Sequence, residues 1–327
     1  MNSSMKKALV AVGFAAAATL TAPVAQAQVC SAWLVENSRF MNVPFGMFHP
    51  DRSFVQGSTN ARNNVNTVDL PVNVGVIKCG NELILYDNGW NATDYHKATG
   101  TGHWSPLSKQ IAQLGFDAKD VSKVIVGHGH WDHAGSLDEF PNAILYIQRE
   151  ELKGIEWALN YPHPRISAVN ESPGGCNRTP ACGYPSKTVA SIYGKVLAGK
   201  AVIVDGDMDV LPGVKIHAAH RAHTAGSQLL EVNTSMGKLM FGSDAYSSWE
   251  AIRDWEVANI QQTDSVQQFL AYEKCYKVTG GYQNCVAAHE PLSYSDKYPL
   301  TKNHWVGMNG GRLAEISLAP GERSRKK

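Results

Sequence analysis

Gly127-His128-Gly129-His130-Trp131-Asp132-His133-Ala134-Gly135 decides how this 327-residue chain is read. Three imidazoles and one carboxylate fall within six residues, in the pattern His-x-His-x-Asp-His. Neutral imidazole nitrogens and carboxylate oxygens are the donors that zinc and similar first-row divalent ions accept. Just upstream, Val121-Ser122-Lys123-Val124-Ile125-Val126 is a short β-branched run that predicts a buried strand. Downstream, Ala134-Gly135-Ser136 breaks the pattern. The cluster is therefore expected on a loop leaving a core strand, where rigid backbone aims side chains into a cleft.

Working outward, residues 68–77 and 82–86 read as a strand pair turned by Gly80-Asn81. The second strand exits into Asp87-Asn88-Gly89, whose carboxylate can make a turn or hold a ligand histidine. Leu107, Ile111 and Leu114 have helical spacing over residues 106–114, and Gly115 stops that helix. Residues 143–147 predict a strand, followed by a helix from about Arg149 to Leu159. Four more strands are expected at 201–204, 214–218, 228–232 and 238–241. The last clear helix covers residues 264–277, with Val266, Phe269, Leu270 and Tyr276 on one side, and a final short strand at 284–288 ends at His289. Near the other end, Trp33-Leu34-Val35 reads as a short strand and residues 40–66 as mostly loop. About ten strands with interspersed helices predict two packed sheets flanked by helices.

With 43% hydrophobic and 18% charged residues, the chain suits one large globular domain. Residues 1–27 have the make-up of an export signal: Lys6 and Lys7, an apolar stretch of thirteen residues from 8 to 20, and Ala25-Gln26-Ala27 as a cleavage site. That stretch is too short to span a bilayer. The mature protein is expected at residues 28–327, periplasmic or secreted, with no stable membrane association after cleavage. Losing the two lysines takes the net charge from 30 − 29 = +1 to 28 − 29 = −1. Such a chain has no electrostatic footprint for nucleic acid or anionic lipid. The basic residues 323–327 are expected as a frayed, solvated tail.

Six cysteines in an exported chain predict disulfides. Local closeness favours Cys176–Cys182 and Cys275–Cys285, leaving Cys30–Cys79, and no pair has the spacing of a zinc knuckle. Around residues 160–187, Tyr161-Pro162-His163-Pro164 and Ser172-Pro173-Gly174-Gly175-Cys176 read as a stapled, lid-like insertion beside a binding site.

One loop does not complete a catalytic centre. Three further donors are expected beside strands: His223 in His223-Thr224-Ala225-Gly226-Ser227, Asp244 in Gly242-Ser243-Asp244, and His289 in Ala287-Ala288-His289-Glu290. His220 competes with His223, which the following Thr-x-Gly-Ser favours. His163, His217 and His304 carry no motif and receive no role.

In this order the motifs resemble those of the metallo-β-lactamase superfamily, across roughly residues 68–292. The resemblance implies an α/β fold, an αββα four-layer sandwich, holding two divalent metal ions, with zinc the first choice. By position, His128, His130 and His223 would hold one ion, Asp132, His133 and His289 the other, and Asp244 would bridge them. Two such ions lie about 3.5–4 Å apart around a shared hydroxide that acts as nucleophile.

Asp244 stands where true β-lactamases of the superfamily usually carry Cys or Ser, which counts against antibiotic hydrolysis. Glyoxalase II-like thioesterases keep the Asp, but their substrate is cytosolic; export also counts against the superfamily's nucleases. Residues 71–74, 87–89 and 209–213 resemble the N-acyl homoserine lactonases, and methyl parathion hydrolase-like enzymes share much of that outline. The lactonases place a lactone-binding Tyr three residues after the bridging Asp; here Tyr246 lies two residues after Asp244. His289-Glu290 replaces their usual His-Asp. Asp132 and Tyr246 are the residues expected to assist the leaving oxygen. Trp131 is expected to wall an apolar pocket beside the metals, while core packing is the commoner fate of Trp90, Trp157, Trp249 and Trp255.

These readings converge on an exported dinuclear hydrolase acting on a small molecule, opening a lactone of the N-acyl homoserine lactone type. A phosphotriesterase or arylesterase is the alternative. A non-catalytic metal-binding protein and an iron-dependent oxidoreductase are the rivals from other classes.

Overall fold

A computed structural model of the chain describes residues 28–44, 67–97, 100–160, 183–246, 248–257 and 264–326. Residues 1–27, expected as an export signal, His163, Cys176, Cys182 and the middle of the expected 160–187 insertion lie outside the described residues.

In chain order the strands are β1 (Ser31–Pro44), β2 (Thr67–Cys79), β3 (Glu82–Tyr86), β4 (Thr101–Trp104), β5 (Val121–Ile125), β6 (Ile144–Gln148) and β7 (Ala201–Val204). They continue as β8 (Met208–Leu211), β9 (Val214–Ala218), β10 (Gln228–Thr234), β11 (Gly237–Phe241), β12 (Cys285–Val286), β13 (Asn303–Val306) and β14 (Arg312–Ser317). The helices are α1 (Ala92–Lys97), α2 (Leu107–Ala112), α3 (Arg149–Leu159), α4 (Ser186–Leu197), α5 (Trp249–Asp254) and α6 (Ser265–Thr279).

Two sheets result. Nine strands run in the order β13-β14-β1-β2-β3-β5-β6-β7, with β4 beside β1; five run β12-β11-β10-β9-β8. The β3-β5-β6-β7 portion is parallel. The layering follows from strand periodicity, since successive side chains point to opposite faces. Trp33, Val35, Val74, Val76 and Leu85 face one way and pack with Leu107, Ile111, Ile155 and Ile192 of the helices. Their neighbours Ala32, Leu34, Ile77, Ile84 and Tyr86 face the small sheet and meet Ile216, Leu230, Val232 and Phe241. On the far side of the small sheet, Leu229 and Met240 pack with Ile252, Ala271 and Tyr272. The order helix, sheet, sheet, helix is the αββα sandwich. Strands buried on both faces read as continuous apolar runs, as residues 32–35, 83–86 and 144–147 do.

Several expectations change. The first strand extends to Pro44 because it pairs with β2 along almost its whole length, covering part of the stretch expected as loop. The short strand at Cys285–Val286 is not the last, since β13 and β14 form one edge of the large sheet. The count among the described residues is fourteen strands, not about ten. α6 buries Gln268, Ala271, Tyr272 and Cys275, whereas Val266 and Leu270 are 63% and 48% exposed, so its inward face is not the expected one. The basic tail is docked: Arg325 donates to the Leu114 carbonyl at 2.9 Å, and its guanidinium lies 4.7 Å from the Phe116 ring centre.

Cys30–Cys79 ties the start of β1 to the end of β2, and Cys275–Cys285 ties α6 to β12. Both pairings match expectation; Cys176–Cys182 lies outside the described residues. No helix among the described residues is long and apolar enough to cross a membrane.

Candidate active site

The loops that matter follow strand ends at one edge of the sandwich. Parallel neighbours β3 and β5 deliver Asp87 and the 127–135 loop side by side; β11 and β12, also parallel, deliver Asp244 and His289. Crevices beyond the carboxyl ends of parallel strands are where open α/β sheets bind ligands. His223 arrives from the connection between β9 and β10. The approach is tight at Gly127, where a Cβ would lie 2.2 Å from the Ser243 Cβ, so only glycine fits.

Seven sequence-predicted donors form two groups. His128, His130 and His223 place a ligand atom each within 4.8 Å of one another, and so do Asp132, His133, Asp244 and His289. Asp244 reaches into both: Oδ2 is 3.4 Å from His223 Nε2, while Oδ1 is 3.2 Å from His133 Nε2 and 3.1 Å from His289 Nε2. Asp132 Oδ2 lies 3.1 Å from His133 Nε2 and 3.4 Å from His289 Nε2. His130 Nδ1 and His223 Nε2 face each other at 3.1 Å.

Groups outside the clusters aim them. Asp87 Oδ1 accepts from the Gly127 N–H at 2.6 Å and Oδ2 lies 2.9 Å from His133 Nδ1. Asp87 thus fills both roles open to it, turn and support. Ser243 Oγ is 3.1 Å from Nδ1 of both His128 and His133. The Pro71 carbonyl accepts from His289 Nδ1 at 2.8 Å, which turns Nε2 toward the carboxylates. Asp87 and Ser243, two residues that brace the histidines, hold left-handed backbone, φ 61° and 49°, a strained conformation for non-glycine residues.

This donor set fits metal ions. The Nε2 atoms of His128 and His133 and Oδ1 of Asp244 are buried with no hydrogen-bond partner. Buried polar atoms are ordinarily satisfied, and a cation in each group would satisfy these. Protonation differs between the groups. Burial, reinforced by the adjacent imidazoles, holds His128 well below its usual range. Burial pushes His130 and His223 down to about 4, with neighbouring carboxylate charge offsetting it only in part. Burial also opposes the cation at His133 and His289, but Asp132 and Asp244 outweigh it. His133 is raised well above 6.5 and His289 is pushed up to about 10. Burial works against both carboxylates too, yet the histidines hold Asp132 and Asp244 below the usual range.

The other sequence-predicted residues lie elsewhere. Tyr246 is fully buried against Tyr272 under the small sheet, and its hydroxyl donates to the Ala271 carbonyl at 3.3 Å. His220 Nε2 pairs with Gln148 at 3.2 Å, leaving His223 in the cluster. His217 sits between Asp207 and Glu231, and His304 pairs with Asp296. Trp131 is 9% exposed and packs edge-on against Trp90, at 3.9 Å between ring centres. Phe40 brings its ring to 5.8 Å from Trp131 and 5.6 Å from His289. Phe40 and Ser243 were not singled out in the sequence: Phe40 lay in apparent loop, and Ser243 carries only its adjacency to Asp244. Gln228 likewise carries no motif in the sequence. Its backbone N–H donates to Gly127, its amide donates to Val126 and Tyr146, and its carbonyl accepts from Tyr86, stitching the two sheets beneath the site.

A family model described as the metallo-beta-lactamase superfamily matches residues 67–274. An N-acyl homoserine lactonase of Bacillus cereus is 25% identical over 226 residues, covering 65% of this chain and 77% of that protein. The N-acyl homoserine lactonase AiiB of Agrobacterium fabrum is 30% identical over 96 residues, 26% of this chain and only 35% of the relative's length. The AttM lactonase of the same organism matches over 21% of its length. Among solved structures, AidC, a dizinc quorum-quenching lactonase in complex with a product, aligns at TM-score 0.57 and 17% identity, over 90% of this chain and 96% of that one. A probable metal-dependent hydrolase from Staphylococcus aureus aligns at TM-score 0.59 and 16% identity, over 81% and 91%.

Proposed function

The chain belongs to the metallo-β-lactamase superfamily, and from that premise we propose an exported, dinuclear metal-dependent hydrolase that opens lactone rings of the N-acyl homoserine lactone type. The observation that carries the reading is the convergence of two donor groups on one shared carboxylate, Asp244. His128, His130 and His223 would hold one ion, Asp132, His133 and His289 the other, with Asp244 between them. Zinc is the ion this imidazole and carboxylate set suits, and AidC is described as a dizinc enzyme. The lactone as substrate draws on the Bacillus cereus relative's name.

Bound there, the ions supply Lewis acidity and lower the pKa of water toward about 7. The chain's own residues do the rest. Asp244 fixes the spacing of the two halves by turning one oxygen to each. Asp132, held ionised, is placed to take the proton of the attacking water at Oδ2 and return it to the leaving alkoxide. We assign that transfer to Asp132 rather than Tyr246, whose hydroxyl is committed to the Ala271 carbonyl. Phe40, braced edge-on by the buried Trp131, offers apolar surface beside the carboxylate half for an acyl chain.

That wall also favours a second reading, since aromatic faces and edges suit an aryl leaving group. An aryl ester or aryl phosphotriester would then be the better substrate. Export is supported by residues 1–27 and by the two disulfides.

The test is a side-by-side measurement of an acyl homoserine lactone and an aryl phosphotriester on metal-loaded protein, with His130→Ala and a chelated sample as blanks. Lactone opening that both blanks abolish is expected. Absence of lactone opening by the loaded wild type would sink the first reading, and faster phosphotriester cleavage would install the second.

A further inference from the structure

Glu151 stands in the first turn of α3, fully buried. Its two oxygens accept four hydrogen bonds, and none of the donors belongs to α3. Oε1 accepts from the Gly129 N–H at 2.7 Å and the Tyr184 hydroxyl at 3.0 Å. Oε2 accepts from the Thr224 hydroxyl at 2.6 Å and the Gly226 N–H at 2.8 Å. Gly129 is the residue between His128 and His130. Thr224 follows His223, and Gly226 lies two residues further on. The Tyr184 ring meets His130 at 4.9 Å between centres. One carboxylate thus fastens both segments that supply the three-histidine group, although His130 and His223 are 93 residues apart. Burying a carboxylate is strongly unfavourable without such compensation, so a cap that merely suited the helix dipole would be expected at the surface. In the other group, Asp87 Oδ2 supports His133 and the Pro71 carbonyl supports His289, while Ser243 Oγ touches His128 and His133 alike.

We propose that Glu151 is the positioning residue of the three-histidine half: it sets the spacing of His223 against His128 and His130, and so governs retention of that half's ion separately from its neighbour. The proposal rests on the two-ion reading given above. At position 151 a glutamine presents one oxygen and one N–H2 to four donors, so two accepted bonds are lost and donor faces donor.

The experiment is a chelator titration of the full chain loaded with cobalt(II), following metal content by elemental analysis and each site by its visible absorption. Wild type should hold two ions. Glu151→Gln should release one ion at roughly 10–100-fold lower chelator activity, the usual effect of losing an outer support, while the second leaves as in wild type. The ion lost should be the one His130→Ala lacks, so Glu151→Gln added to His130→Ala should not further loosen the remaining ion. Asp87→Asn should loosen the opposite ion. Thr224→Val removes one of the four bonds and decides the matter if Glu151→Gln does not fold; a few-fold loosening of the same ion is expected. Unchanged retention in Glu151→Gln, or in Thr224→Val where the first variant is unfolded, overturns the proposal. So does equal loosening of both ions. A wild type that holds fewer than two ions instead overturns the two-ion reading, and this proposal with it.

Discussion

The three-histidine half and the carboxylate half draw on the same loop, yet they stand on opposite electrostatic footings. His130 and His223 are pushed down to about 4, so at neutral pH each is an uncharged imidazole with one lone-pair nitrogen. In the other half His289 is pushed up to about 10 by the carboxylates beside it. There, protons do the charge balancing that a cation would otherwise do. The difference teaches that two neighbouring donor groups need not meet a cation by the same chemistry. On the two-ion reading the first would accept an ion directly, whereas the second would exchange protons for it.

Asp244 is the part of the comparison whose removal should cost most, because it belongs to both halves. Asp244→Ala should lower hydrolysis by about a thousandfold or more and reduce metal content in each half. A rate within tenfold of wild type, with two ions retained, would break the comparison.

Next comes the stability of chelated protein against pH, read as a urea midpoint. His130 and His223 have folded values near 4, below an unfolded value of 6.5. The unfolded chain therefore binds more protons as pH falls from 6.5 to 4, and stability should drop there, on the order of 3 kcal/mol per histidine. His289 has the reverse sign: its contribution is full below 6.5 and is lost as pH rises through about 10. The chelated protein should thus be most stable near pH 6.5, and a flat profile from pH 4 to 10 would contradict the assignment.

The smallest expected effect lies beside the carboxylate half. Phe40→Ala removes one aromatic neighbour of Trp131 and His289, worth about 0.5–1.5 kcal/mol. It should raise KM for an acyl lactone roughly 2–10-fold with kcat nearly unchanged. A fall in kcat alone would mean that Phe40 supports His289 rather than the substrate.

How much of this was legible beforehand follows from where each signal lies. The 127–135 loop was readable because four donors sit in six residues behind a core strand. His223, Asp244 and His289 were readable only through their order after it, since each alone is an ordinary polar residue at a strand end. α6 misled because Val266 and Leu270 look like an apolar stripe, while the buried stripe uses Gln268, Ala271, Tyr272 and Cys275 at equally good helical spacing. Tertiary partners, not the pattern, chose between them. β1 was cut short because residues 40–66 are rich in turn formers, although pairing with β2 carries the strand to Pro44. Glu151 was invisible for a different reason. In Arg149-Glu150-Glu151 it reads as one more acid at a helix start, and nothing local marks which of the two glutamates turns inward.

The Cys275–Cys285 bridge closes right beside the two-residue strand that leads to His289. That short segment has little ladder of its own to keep its place, so the covalent tie to α6 contributes directly to where the last imidazole stands. The thiol–disulfide balance of the surroundings in which the chain matures thereby becomes an input to its metal content. Protein produced under reducing conditions should emerge under-loaded at the carboxylate half even when zinc is plentiful.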